Sequence, residues 1–335
     1  MEAVEDESGT AYKPRSCPGK TVDYPFIRSR SFRLPTFVIM KPMWISKDYA
    51  LLLMLATLWS SSFVFIKVGV QSVGPMTLTS ARLGIATAIL YAGLRLRGYR
   101  LPRDRRSWAV CATIGLVGNT LPFTLISWGE IHIDSGLAAV LMGVMPVTTA
   151  MLAHIFIREE PFTRRIGLGI LVGFGSVAAL LGPEALAGLT APILAQLAVL
   201  LSAVCYGASA TFIRYFAAPA NWPSLASGAM FAAFAFSLPL TMILERPWTL
   251  QPDSPAIVAV LYLGIGLTAV ANLIFFYLIP RLGANRSAQV NYFVPVLGAL
   301  WGVIFLREHL SGRLLLALAL ILIAVAVVQP RKQRV

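Results

Sequence analysis

From Asp48 to Gln329 the chain is built of apolar runs of about 18 to 23 residues, separated by short polar stretches. At roughly 1.5 Å per helical residue, runs of that length match a hydrocarbon core about 30 Å thick. A bilayer offers no partner to a bare peptide group, so each run must close its own backbone hydrogen bonds, which selects helices. The alternation expected of barrel strands is absent. The pattern predicts ten transmembrane helices over 48–70, 75–94, 107–128, 135–157, 163–182, 192–214, 224–244, 255–279, 285–306 and 312–329, and so an all-α polytopic membrane protein. Residues 1–47 differ in kind. They are polar, acidic at Glu2, Glu5, Asp6 and Glu7, then basic at Arg28, Arg30 and Arg33, and they read as a disordered tail. The tail lacks the apolar centre of a signal peptide, and its acids argue against a transit peptide. Residues 330–335 form a short basic tail at the other end.

Composition agrees with the pattern: 57% of residues are hydrophobic and 13% charged, against about half and about a quarter in soluble domains. A net charge of +13 raises the question of nucleic acid, and the placement of the charge answers it. The loop after the second helix carries Arg95, Arg97, Arg100, Arg103, Arg105 and Arg106, while the loops after the first, third and fifth helices carry no Lys or Arg. The positive-inside rule therefore predicts a multi-pass inner-membrane protein with both ends cytoplasmic, and no nucleic-acid partner. Arg158, Arg164, Arg165, Arg214, Arg281 and Arg286 agree; Arg246, Arg307 and Arg313 are exceptions. Cys17, Cys111 and Cys205 form no C-x-x-C pair, so neither a disulfide framework nor a zinc site is expected, and no cofactor is implied.

The chain also matches itself. PVTTAMLAHIFIREE, with Pro146, Arg158 and Glu159, aligns at a shift of 149 with PVLGALWGVIFLREH, which has Pro295, Arg307 and Glu308. LWSSSFVFIK aligns at a shift of 147 with CYGASATFIR, pairing Trp59 with Tyr206, Ser62 with Ser209 and Lys67 with Arg214. The repeats run over 48–182 and 192–329. Five helices is an odd number, so the second copy is expected upside down relative to the first, the arrangement used by secondary transporters.

These residues resemble the EamA group of the drug/metabolite transporter superfamily. The resemblance covers residues 48–329 and rests on LWSSSFVFIK, on Pro75 followed by Ala81-Arg82-Leu83, and on the two Pro-to-Arg-Glu segments. It implies two inverted five-helix repeats, a central cavity between them, and export of amino acids, other metabolites or toxic compounds. His309 departs from the usual end of the second-repeat motif, and the long N-terminal tail lies outside the family pattern.

Trp59, Ser62 and Ile66 share one helical face, as do Tyr206, Ser209 and Ile213, and these two faces are expected to oppose each other across the cavity. Their aromatics and hydroxyls suit substrate contact, and they suit ordinary helix packing equally well. Arg82 stands out, because a cation at membrane depth costs about 2.5 to 3.5 kcal/mol unless it faces a partner, water or the protein interior. Its functional reading is a handle for a substrate carboxylate or phosphate; its structural reading is snorkelling or a fixed interhelical bond. Lys67, nearer a helix end, is expected to snorkel. Asn119, Asn272 and Asn291 either read polar groups on a ligand or bond between helices. Glu130, Asp134, Glu159, Glu245 and Glu308 all fall at helix ends, so no carboxylate is expected in the interior for proton coupling. His154, near the end of its helix, suits an interfacial position better than a titrating one. Gly167, Gly169 and Gly173 imitate a dinucleotide fingerprint within an apolar helix, where close helix packing explains them.

The reading that follows is a secondary transporter with a small-molecule substrate, bounded by membrane lipid and compatible with a homodimer. An intramembrane enzyme needs clustered acids or histidines at depth, and the three histidines lie far apart in sequence. A scaffold or sensor leaves the inverted repeat unexplained. A nucleotide-sugar antiporter needs several basic residues in its cavity, whereas this chain offers mainly Arg82.

Overall fold

A computed structural model of the chain describes residues 42–156, 163–182, 188–216, 222–282 and 290–328. The predicted tails, Arg158, Glu159, Arg286 and the first residues of the span expected at 285–306 lie outside the described residues.

The described chain is helical. We number the helices α1 (Pro42–Gly69), α2 (Pro75–Leu96), α3 (Arg105–His132), α4 (Ser135–Phe156), α5 (Arg164–Leu181), α6 (Ala191–Phe216), α7 (Trp222–Leu244), α8 (254–282), α9 (Val290–Leu306) and α10 (Gly312–Val328). Eight are long and apolar enough to cross a membrane, and α9 and α10 are shorter apolar helices. Bulky apolar side chains such as Leu171 and Phe174 on α5, Ile243 on α7 and Ile323 on α10 face outward, as lipid-facing residues do.

Helix starts follow local chemistry. Asp104 caps α3 by accepting from the Ser107 amide at 2.7 Å, Thr163 accepts from Ile166 at the start of α5, and Pro75 needs no donor in the first turn of α2. Three of the central helices are irregular. α4 breaks at Gly143 and Val144, whose amides bond only three residues back; Pro146 follows and has no N–H to give the Met142 carbonyl. α3 widens into a π-turn at Leu116–Thr120, directly ahead of Pro122, and α8 widens at Leu263–Val270. In both π-turns a threonine hydroxyl, Thr120 or Thr268, donates to the carbonyl five residues earlier, of Gly115 or Leu263. The two threonines stand 148 residues apart, so the irregularity belongs to the repeat.

Helix pairing repeats too. α1 packs on α8 and α9, while its counterpart α6 packs on α3 and α4; α2 pairs with its counterpart α7, α4 with α9, and α5 with α10. Small residues let these pairs close. A Cβ at Gly115 of α3 would lie 2.7 Å from the Ala229 carbonyl and 2.8 Å from the Ala233 nitrogen of α7, and Gly129 of α3 sits as tightly on Ala195 and Val199 of α6. Gly169 rests against Ala324 and Val328 of α10, and Gly173 against Val147 of α4, so the apparent dinucleotide fingerprint is a helix-packing stripe.

One end of the bundle is tied together by polar contacts between the repeats. The Glu245 carboxylate, after α7, accepts from the Met76 and Thr77 amides at 2.9 and 2.7 Å and from the Thr77 hydroxyl at 2.7 Å, capping α2. Glu308, after α9, accepts from the Ser135 and Gly136 amides at 2.8 Å each and caps α4. Anions suit helix N-termini because the first amides there lack partners. At the same end the Ser72 hydroxyl donates to Asp253 at 2.6 Å. That bond and the Ala256 amide hold the Asp253 carboxyl below its usual range. At the opposite end Arg281 of α8 bonds Asp48 of α1 at 3.0 Å.

Candidate functional site

Arg82 is the eighth residue of α2, about 10 Å along the axis from its start at 1.5 Å per residue, and it is only 4% exposed. It does not snorkel. Its Nε and Nη2 both donate to the Thr268 hydroxyl in the π-turn of α8, at 3.2 and 3.1 Å, and its guanidinium lies over the Phe123 ring of α3, 3.8 Å from the centroid. The widened turn makes this possible: it swings Thr268 so that the hydroxyl bonds the Leu263 carbonyl while offering its oxygen to α2. No carboxylate pairs with the guanidinium among the described residues, and Nη1 makes no hydrogen bond there. The cation is held by a dipole and a π-face, neither of which neutralises it.

Tyr206 joins the same group. Its ring stands 6.5 Å from Phe123, and Arg82 lies within its Coulombic reach. Trp59 is placed in the mirrored way, with its ring 5.3 Å from Phe275 of α8. Each first-helix aromatic therefore packs on an aromatic of the third helix in the other repeat. Of the expected serines, Ser62 donates to the Trp59 carbonyl at 2.6 Å, and Ser209 is buried against Gly118, where a Cβ would collide with its hydroxyl. Asn119 lies buried in the α3 π-turn and donates to the Ile114 carbonyl at 3.2 Å. Asn272 donates to the Thr268 carbonyl at 2.5 Å. Asn291 is half-buried in the first turn of α9. The residues brought together are thus Arg82, Thr268, Phe123 and Tyr206, with Asn272 bonded to Thr268. His154 sits half-buried in the last turn of α4.

Two expectations are corrected. Lys67 does not snorkel: its Nζ donates to the Glu130 and Ile133 carbonyls at 2.7 and 2.8 Å and so satisfies the end of α3, where the helix leaves carbonyls without partners. Glu130 does not lie outside the interior. It is fully buried, enclosed where α3 packs on α6, α2 and α1, because Lys67 and the turn into α4 close over it. Position near a helix end conceals burial when that end is covered by other elements.

Sequence reasoning also passed over Phe123 and Thr268. Thr268 left a usable signal, since Thr120 and Thr268 align at a shift of 148 within the repeat. Phe123 left none, because one aromatic among eighteen phenylalanines carries no mark of a cation above it.

The chain matches the EamA-like transporter family over residues 47–182 and again over 193–329. Among its relatives, a "Probable terminal-alkyne amino-acid exporter" of Streptantibioticus cattleyicolor is 27% identical, over 79% of this chain and 88% of that protein. An "Uncharacterized transporter" of Archaeoglobus fulgidus is also 27% identical, over 84% and 98% of the two chains. The "Uncharacterized inner membrane transporter YedA" of Escherichia coli K12 is 26% identical, over 84% and 90%. A crystal structure 21% identical in sequence superposes with a TM-score of 0.61 over 87% of this chain and 99% of its own, which establishes the shared fold. With the family matched over two successive stretches and a run of transporter relatives, the chain belongs to the EamA-like transporter family and is a multi-pass membrane transporter of small molecules.

Proposed function

We propose that the protein is a secondary exporter of amino acids or similar small carboxylate-bearing metabolites, working by alternating access. In this reading ten helices cross the membrane, the two five-helix repeats are inverted, and both termini are cytoplasmic, which puts the Glu245 and Glu308 caps on the outer side. The observation that carries the reading is Arg82: a buried cation between the repeats, held by the Thr268 hydroxyl and the Phe123 ring and paired with no carboxylate among the described residues. A substrate carboxylate can take Nη1 without first displacing an acidic partner, and Tyr206 and Asn272 stand beside it to read the remainder of the molecule. Drug-like cations fit this site poorly, because Arg82 repels them. The Streptantibioticus relative, named as a probable terminal-alkyne amino-acid exporter, favours the same substrate class. The symmetry of helix pairing and of the π-turns supports two halves that exchange conformations about a common site.

The test is untargeted mass spectrometry of medium and cells from cultures expressing the wild type, Arg82→Ala at equal membrane level, or an empty vector. One carboxylate-bearing compound class accumulates outside only with the intact protein. Three matching media profiles across varied nutrients defeat the proposal.

A further inference from the structure

Glu130 is a second charged residue of the interior, and the Arg82 site does not use it. It is 0% exposed, and both carboxyl oxygens lack a hydrogen-bond partner among the described residues. Ser127 Oγ, three residues earlier on α3, and Ser135 Oγ, at the start of α4, are buried and unpartnered as well. The ionisable side chains facing Glu130 are Lys67 from α1, Arg82 from α2 and Glu308 from the turn after α9. α6 offers none over residues 191–204 and α4 none over 135–153, while His132 on α3 itself packs on Trp128. None of the three charged side chains bonds the carboxyl. Lys67 is committed to two backbone carbonyls, Arg82 to Thr268, and Glu308 to the α4 amides.

An ionised carboxylate removed from water with no donor on either oxygen costs several kcal/mol, and a neutral carboxylic acid avoids most of that cost. A bound metal cation is disfavoured by Lys67 and Arg82, both positive. The closed arrangement seen here therefore suits the protonated acid, whereas a conformation that admits water to the α3–α4 turn suits the carboxylate.

We propose that Glu130 is a proton-binding site whose protonation is linked to closure of the end of the bundle bearing Lys67, so that export is driven by proton entry. The inference rests on the transporter reading above. In the cycle, a proton from outside water forms an O–H bond with one Glu130 oxygen while that end is open. Closure buries the neutral acid. Opening to the other side carries water from that side through the interior where Arg82 lies as far as the Glu130 carboxyl; that water takes the proton and the carboxylate is restored, so each cycle admits one proton with no other bond made or broken. Because closure is favourable only for the protonated form, the empty carrier returns outward-closed with a proton, and substrate leaves on the reverse movement.

Two measurements on the purified full-length protein in lipid test this. Infrared spectra recorded from alkaline to acid pH are expected to show a buried protonated-carboxyl signal in the wild type that vanishes in Glu130→Gln, shifts in Glu130→Asp and persists in Glu308→Gln. A wild type without the signal, or a Glu130→Gln protein that keeps it, overturns the assignment. In proteoliposomes with a mixture of radiolabelled amino acids outside and a lumen about one pH unit more acid than the medium, proton exit is expected to drive up to about tenfold accumulation inside with one proton per substrate. Glu130→Gln is expected to lose that accumulation and keep exchange between equal amino-acid pools. Accumulation equal to wild type in Glu130→Gln overturns the coupling. A Glu130-dependent infrared signal in a protein that moves none of the amino acids upholds the proton site and overturns the amino-acid reading instead.

Discussion

Thr268→Val keeps the shape of the side chain and deletes the oxygen on which the Arg82 anchor depends. Two guanidinium donors lose their common acceptor, at 3.2 and 3.1 Å, and the Leu263 carbonyl loses a hydroxyl donor at 2.8 Å. Ordinary interhelical hydrogen bonds in membrane proteins are worth about 0.6 kcal/mol on average and at most about 1.7. A hydrogen bond to a charged group is worth about 1.5 to 3 kcal/mol, and because both donors meet one oxygen we count it once. The neutral bond to Leu263 adds about 1 kcal/mol, so the substitution is expected to destabilise by about 2.5 to 4 kcal/mol. A double-mutant cycle separates the two parts. With Arg82→Met as the second change, the coupling energy contains only the charged bond and is expected at about 1.5 to 3 kcal/mol, read from equilibrium unfolding in mixed micelles. Unlinked sites add to within about 0.5 kcal/mol. A coupling at or below that level means Thr268 is not the guanidinium's principal polar partner and does not anchor Arg82 between the repeats.

Other expectations follow from the helix contacts. Gly115→Ala drives a methyl into the backbone of α7, which has no side chain to swing away, and is expected to cost about 1 to 3 kcal/mol; Gly93→Ala, with open space around it, is the control and leaves the unfolding midpoint at or above wild type. Glu308→Ala removes the cap from α4 and is expected to cost about 1 to 2 kcal/mol, while Glu308→Gln, which keeps an acceptor, costs less; equal losses in the two variants would contradict the capping geometry. The Asp253 carboxyl is held below its ordinary range by Ser72 and the Ala256 amide, so its contribution is present at neutral pH and disappears as pH falls through the carboxylate range. Thermal unfolding of wild type and Ser72→Ala is therefore expected to differ at neutral pH and to converge in acid; a difference that persists at the lowest pH refutes the linkage.

The helical architecture was written openly in the sequence, since a bilayer imposes one length and one hydrogen-bonding solution on each apolar run. The ten expected spans all coincide with helices where residues are described, and boundaries moved by a few positions where polar caps rather than hydropathy set them, as at Asp104. The repeat was equally legible, and the family matches over 47–182 and 193–329 fall on its two halves. Hidden were the places where a helix departs from regular geometry. Pro122 and Pro146 announce disturbance, but whether a helix breaks, as α4 does, or widens, as α3 does, depends on what packs beside it. Arg82 was recognisable from its cost in lipid, but its partners were not, because a hydroxyl and a phenyl ring are ordinary residues until the fold sets them against a cation. The Glu130 error has the same origin: distance along one helix says nothing about the neighbours that cover its end.

The caps on α2 and α4 bear on how the molecule comes into being. The amides that open α2 are met by a side chain 168 to 169 positions downstream, and those that open α4 by one 172 to 173 positions downstream. During synthesis the first repeat is made and inserted with both helix starts waiting on water or headgroups, and it reaches its final register only when α7 and α9 arrive. A first half expressed alone is thus an unfinished object, while two separately made halves carry between them everything needed to complete each other.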